Sequence, residues 1–312
     1  MASTWFGTSV LRKEDPALLT GRGQFVDDIH LPGMLHAAFV RSAHAHARIV
    51  GIDTAAARAA AGVHLVLTHA DLPESMRTRP IPVMMPNPII KQPFMPLALA
   101  AVEVCFVGEP VAVVVADSRY VAEDAAALVT VEYDPLPVVT DCRAAIEPDS
   151  PPVHLGSPSN IAARLPVTHG AVEAAFAGAP HVFRDSFHLH RGGAFFIECR
   201  GVVAEHDAAT DSYTLHVTSQ GSHRIKEGIL DLLDVSEHQI RVITPDVGGG
   251  FGEGFRTPAV AGRAFWAWGR RTKTAQARTR GPAATVYGDF GFCRSVMMAA
   301  SGQRRRRRRC GE

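Results

Sequence analysis

No run of apolar residues in this chain is long enough to span a bilayer. Met1 to Pro16 likewise lacks the apolar segment of a secretory signal. The five cysteines (Cys105, Cys142, Cys199, Cys293 and Cys310) are odd in number, scattered, and nowhere spaced as C-x-x-C. These absences argue against a disulfide framework and a cysteine-ligated cluster, and they set the expectation of reduced thiols in a cytoplasmic protein. Catalytic signatures are missing too. Without H-E-x-x-H, G-x-S-x-G or a kinase set, hydrolytic and phosphotransfer chemistry has no anchor. Without G-x-G-x-x-G or G-x-x-x-x-G-K-[ST], the dinucleotide and P-loop readings also fail. No internal repeat is present.

What remains is ordinary in bulk and uneven in distribution. At 312 residues, 46% hydrophobic and 20% charged, the chain suits a soluble protein of two domains. Its net charge of +1 hides an asymmetry. From Phe255 onward there are 14 basic residues against two acids, leaving 18 basic and 29 acidic residues in 1–254. The body is therefore near −11 and the tail near +12, and the tail carries six consecutive arginines, Arg304–Arg309.

Periodicity predicts strands at Met34–Arg41 and Val63–Leu67, with a short alanine-rich helix at Asp53–Ala61 between them. Val111–Ala116 (VAVVVA) predicts a buried strand. Asp117 or Ser118 then caps a helix through Leu128, and Val129–Tyr133 is the next strand. Pro80–Pro96 fits neither period. Asp141–Asn160, with Pro148, Pro151, Pro152 and Pro158, reads as an interdomain linker. Beyond it come a helix near Ala171–Ala177 and strands at His181–His190, Gly201–Glu205, Tyr213–Ser219 and Gln239–Thr244. Ser222 is the expected cap of an amphipathic helix to Leu233. The fold class is α+β.

The most informative run is Val247-Gly-Gly-Gly-Phe-Gly252, at the end of a β-branched stretch. Glycines let backbone N–H groups approach a bulky polar ligand without Cβ interference. A planar phenylalanine among them is unusual for a simple turn. On the loop alone, a tight glycine turn and a ligand cradle are equally good readings. Gln220, at the expected end of a strand, offers an amide from a rigid element, although a backbone-bonding role accounts for it as well. His44 and His46 are two apart and would share a strand face, as would His188 and His190. No third ligand at a fixed spacing supports a metal at either pair. Glu109 and Glu132 read as solvated or structural carboxylates.

Several segments, taken in order, resemble the large subunit of molybdenum hydroxylases, the xanthine dehydrogenase and aldehyde oxidase family. They are Arg12–Asp28 (RKEDPALLTGRGQFVDD), Arg41–Ile49 (RSAHAHARI), Val107–Ala116 with Val131–Pro137, Ile197–Gly201 (IECRG), Thr218–Gln220 and Asp246–Gly252 (DVGGGFG). The resemblance implies an α/β hammerhead domain over residues 1–140, a linker over 141–160, and the start of a molybdenum-cofactor-binding domain over 161–254. It implies a molybdenum–molybdopterin cofactor, with Gln220, Gly249, Gly250, Phe251 and Gly252 at its site. The implied activity is oxidative hydroxylation of a small-molecule substrate (an aldehyde, a purine or an N-heterocycle) with oxygen from water. Electrons would leave through separate iron–sulfur and FAD subunits, since this chain has no cysteine pattern for such centres.

After Gly254, where the family usually places a lysine at that position and continues for several hundred residues, the pattern breaks. The catalytic glutamate lies in the missing part, so no catalytic residue and no metal ligand is assigned here. Residues 255–312, rich in Arg, Ala and Gly, have the composition of GC-rich DNA read out of frame. They are expected to be a truncated or frameshifted tail outside the fold. The alternative is a non-catalytic binding protein whose basic tail meets an anionic partner. Nucleic acid is not the expected ligand.

Overall fold

The valine run at Val111–Val115 shows how the fold is built. In the computed structural model, which describes residues 7–81, 90, 95–167, 169–187, 196–251 and 284–288, every residue of this strand is buried. Side chains alternate across a strand, and here both faces find apolar partners. Val113 and Val115 face Leu35, Leu67 and Met76. Ala112 and Val114 face Ala57, Ala125 and Val129. A continuous apolar run with no polar face is what burial on both sides requires.

Ten strands are described: β1 (Leu35–Arg41), β2 (Ala47–Asp53), β3 (Val63–Thr68), β4 (Glu103–Val104), β5 (Pro110–Ala116), β6 (Thr130–Pro135), β7 (Arg200–Asp207), β8 (Ser212–Val217), β9 (Ile240–Ile243) and β10 (Ala284–Gly288). The α-helices are α1 (Asp15–Leu19), α2 (Ala55–Ala59), α3 (Glu74–Thr78), α4 (Arg119–Ala127), α5 (Val172–Gly178) and α6 (Ser222–Leu232). They form a seven-stranded sheet of order β3-β5-β1-β10-β7-β8-β9 and a three-stranded sheet of order β4-β2-β6. Strands β3, β5 and β1 pair antiparallel, and α2 and α4 cover one of their faces. Ser118 caps α4 as expected, its Oγ accepting from the Val121 amide at 3.2 Å.

In the second half, β7 and β8 pair antiparallel, and β9 returns parallel to β8 after the α6 crossover. Helix α6 buries Ile225, Gly228, Ile229 and Leu232, the spacing of a single helical face. Ser222 is its first helical residue and not its cap; Gly221 holds that position and makes no side-chain bond.

The core does not stop at the expected domain boundary. One cluster joins Leu35, Leu67, Met76, Leu99 and Val113 to Val202, Leu215, Ile225, Ile229 and Leu232. The proline-rich stretch between the halves is tied down as well. Asn160 Nδ2 donates to Ala145 and Pro151 carbonyls at 3.0 Å each, and its Oδ1 accepts from the Val153 amide at 2.9 Å.

Further expectations change. Residues 181–187 form no strand; Phe183 and Phe187 are exposed, so the alternation has nothing to pack upon. The rest of that expected strand, His188–His190, lies outside the described residues. Strands β2 and β4 were not foreseen, since β2 is broken by a register shift between Ile49 and Gly51 and β4 has two residues. Finally, five residues of the expected tail, Ala284–Gly288, form a strand between β1 (parallel) and β7 (antiparallel). Thr285, Val286 and Tyr287 favour extended chain, a local preference masked by the basic composition around it. The remainder of 255–312 lies outside the described residues. Among the described residues, no helix is long and apolar enough to cross a membrane.

Candidate functional site

Because β7 runs against β8 while β9 runs with it, the start of β7 and the ends of β8 and β9 share one edge of the sheet. Three chain segments meet there: Phe196–Cys199 leading into β7, Thr218–Gln220 leaving β8, and Thr244–Phe251 leaving β9. The carboxyl ends of neighbouring parallel strands are a common place for ligand sites in α/β sheets.

Glu198 organises this edge. Its Oε2 accepts from the Gly248 amide at 2.7 Å. Its Oε1 accepts from Thr218 Oγ1 at 2.9 Å and, more weakly, from the Val26 amide at 3.4 Å. In return the Gly248 carbonyl accepts from the amides of Ile197 and Glu198 at 3.2 and 3.4 Å. One carboxylate thus joins the glycine loop, the end of β8 and the N-terminal segment. A second clamp lies just upstream. Asp246 Oδ2 accepts from the Gln24 amide at 2.8 Å, and its own amide donates to the Gln24 carbonyl at 3.0 Å.

Held this way, the loop comes so close to its neighbours that side chains are excluded. A Cβ at Gly248 would collide with Cβ of Glu198, and one at Gly250 with Cγ and Cδ of Gln220. Gly249 has φ +109, open to glycine without strain. Phe251 has φ 44, and the residue is 72% exposed. A non-glycine residue in that region costs about 1–3 kcal/mol and marks functional segments. Among the described residues, the amides of Gly249, Gly250 and Phe251 donate to no acceptor.

The structure therefore brings together four of the five residues expected at the site: Gln220, Gly249, Gly250 and Phe251. Gly252 lies outside the described residues. Gln220 does not end a strand, since β8 stops at Val217; it sits in the turn into α6, with its side chain over Gly250. Glu198 was missed. The motif IECRG contained it, but no local spacing relates it to the glycines it holds.

The histidine pairs fare differently. Residues 43–46 form a bend ahead of β2, so His44 and His46 do not share a strand face. His44 packs against Tyr133 with ring centroids 4.8 Å apart. His46 turns inward, toward Glu103. Glu109 is structural: it is buried and accepts from the Cys105 amide at 2.6 Å.

The clamped glycine loop at the sheet edge is a candidate ligand cradle, and comparison with known proteins makes the class specific. Residues 20–137 match the family model of the aldehyde oxidase and xanthine dehydrogenase a/b hammerhead domain. Residues 153–282 match that of the molybdopterin cofactor-binding domain. The chain belongs to the aldehyde oxidase and xanthine dehydrogenase family of molybdopterin proteins. It is 42% identical over 247 residues to the nicotine 6-hydroxylase large subunit of Paenarthrobacter nicotinovorans, an alignment covering 79% of this chain and 30% of that protein. Against the carbon monoxide dehydrogenase large chain of Afipia carboxidovorans it is 39% identical over 258 residues, covering 77% and 30%. The crystal structure of quinoline 2-oxidoreductase from Pseudomonas putida 86 superposes with a TM-score of 0.75 at 35% identity, covering 91% of this chain and 34% of that one. The chain thus spans about 30% of the length of these curated relatives.

Proposed function

We propose that this chain is part of the large subunit of a cytoplasmic molybdenum-dependent hydroxylase acting on an aldehyde, a purine or an N-heterocycle with oxygen derived from water. The observation that carries this reading is the Glu198-clamped loop lying directly against Gln220. Amides of Gly249, Gly250 and Phe251 and the carboxamide of Gln220 suit the polar pterin and the oxygens at molybdenum. The exposed Phe251 ring offers a flat face to a planar substrate. When bound, the cofactor supplies the redox chemistry, while these residues bind and orient it.

The activity belongs to a larger assembly. Relatives named as a large subunit and a large chain support separate partners, here an iron–sulfur subunit and an FAD subunit. The 312-residue chain supplies one wall of the cofactor site, and half a site leaves a polar ligand open to water. Purified alone, it is expected to hold far less than one molybdenum per chain and to leave purines and aldehydes unoxidised. The match to the cofactor-binding model runs on to residue 282, past the expected break after Gly254, so the nucleotide sequence from codon 254 to beyond codon 282 tests the frameshift. If the remaining cofactor domain is encoded in another frame, expressing that frame with the partner subunits is expected to bring molybdenum to stoichiometry. Full molybdenum content in the chain alone would overturn the one-wall reading.

A further inference from the structure

Away from the glycine loop, four groups able to bind a metal meet where the three-stranded sheet touches the proline-rich stretch. Strand β4 pairs antiparallel with β2, Ala47 opposite Val104 and Arg48 opposite Glu103. Continued by one residue, that register places His46 opposite Cys105. Glu103 and Cys105 are two apart and share a face, while Val104 between them points into the core. The ligand atoms of His46, Glu103 and Cys105 all lie within 4.8 Å of one another. The fourth group arrives from the linker: His154 Nδ1 is 3.1 Å from Cys105 Sγ.

The hydrogen bonds at this cluster require a cation. His46 Nδ1 lies 2.9 Å from the Pro137 carbonyl oxygen, which can only accept, so the proton sits on Nδ1. Nε2 of a neutral ring is then a lone pair, and it faces a carboxylate oxygen of Glu103 at 3.2 Å. Two acceptors at that distance need a proton or a metal ion between them. A carbonyl that fixes the tautomer of a buried histidine is also the usual outer support of a metal-bound imidazole.

Donor types and charge favour the metal. Zinc–ligand bonds of about 2.0–2.3 Å give a tetrahedron with edges of roughly 3.3–3.8 Å. The separations of 3.2 Å (His46 to Glu103) and 3.1 Å (Cys105 to His154) lie just below that range, so the ligands would spread slightly to admit the ion. A thiolate, a carboxylate and two imidazoles carry two negative charges, so a divalent ion leaves the partly buried site neutral. Thiolate and imidazole select zinc over magnesium or calcium, which take oxygen ligands.

We propose that His46, Glu103, Cys105 and His154 form a zinc site that fastens the linker to the hammerhead sheet. Glu103 already reaches across the same junction, both of its oxygens accepting from the Leu155 amide at 3.0 Å. The ion would lock residues 154–155, at the start of the stretch matched by the cofactor-binding model, to β4, within the stretch matched by the hammerhead model.

Cobalt(II) is the direct probe, because a thiolate ligand gives it a charge-transfer absorption. The reduced full chain, stripped with a chelator, is titrated with cobalt chloride under nitrogen. One equivalent is expected to produce the band, and zinc chloride to remove it. Cys105→Ser, nearly isosteric with the native residue, is expected to abolish the band, while Cys142→Ser leaves it intact. His154→Gln, at a half-buried position, is expected to weaken cobalt binding by at least about tenfold. Absence of the band in the native chain overturns the proposal, and so does a band of full strength in Cys105→Ser or unchanged affinity in His154→Gln.

Discussion

Around β5 every side chain from Pro110 to Ala116 is buried among apolar neighbours, whereas between Gly248 and Phe251 the chain is held by one carboxylate and leaves an aromatic ring exposed. The first region is fixed by area removed from water, a non-directional force that tolerates small shifts. The second is fixed by directed bonds from Glu198 and by glycines that admit no side chain. Apolar burial sets where the sheet edge lies. Polar clamps set what the edge presents.

The comparison breaks most readily at the core. Leu67 and Leu215 are fully buried in one cluster but come from opposite halves of the chain. Truncating either to alanine is expected to cost about 2–5 kcal/mol. Both variants should lower the same urea transition, followed by far- and near-ultraviolet circular dichroism together. Two separate transitions, each sensitive to one variant, would show that the halves do not share a core.

Cys105 comes next in size. Burial, followed by the nearby carboxylates of Glu103 and Glu109, pushes its thiol from 9.0 up to about 12. A raised thiol pKa means less thiolate at any pH below it. In the metal-free chain near pH 8, alkylation of Cys105 should therefore run about a thousandfold slower than at an unperturbed thiol. Its rate should still be climbing above pH 9. Mass spectrometry after timed iodoacetamide pulses measures this, with the exposed Cys142 as internal comparison. Equal rates at the two cysteines would contradict the burial described here.

Glu198→Gln tests the polar clamp. An amide in place of the carboxylate turns one acceptor into a donor facing either the Gly248 N–H or the Thr218 hydroxyl. A loss of about 1–3 kcal/mol is expected, with faster hydrogen exchange at Gly248 than in β5. The smallest effect is at the α4 cap. Ser118→Ala removes the acceptor for the Val121 amide and should cost about 1 kcal/mol.

Legibility in the sequence followed the same division. The strand at β5, the cap at Ser118 and the spacing Ile225, Ile229, Leu232 depend on neighbours in the chain, so pattern alone located them. Strand β2 escaped because its alternation breaks near Gly51, and β10 because arginines and alanines hid a short extended stretch. At the proposed site, family resemblance named Gln220, Gly249 and Gly250, which the fold brings together. Glu198 was not, since its partners Thr218, Gly248 and Val26 lie 20, 50 and 172 residues away. His46 likewise revealed nothing until the fold set it beside Glu103 and Cys105, 57 residues on in the first case.

The most direct test of the central claim, that the clamped loop and Gln220 form a wall of the molybdopterin site, is molybdenum content with turnover in the assembled hydroxylase. The subunit, with its downstream frame restored, would carry Gln220→Ala or Phe251→Ala and be co-expressed with the proposed iron–sulfur and FAD subunits. The account predicts lowered turnover in both variants, with molybdenum loading lowered as well in Gln220→Ala, while a substitution at the exposed Tyr120 on α4 leaves both unchanged. Native loading and native turnover in both site variants would contradict it.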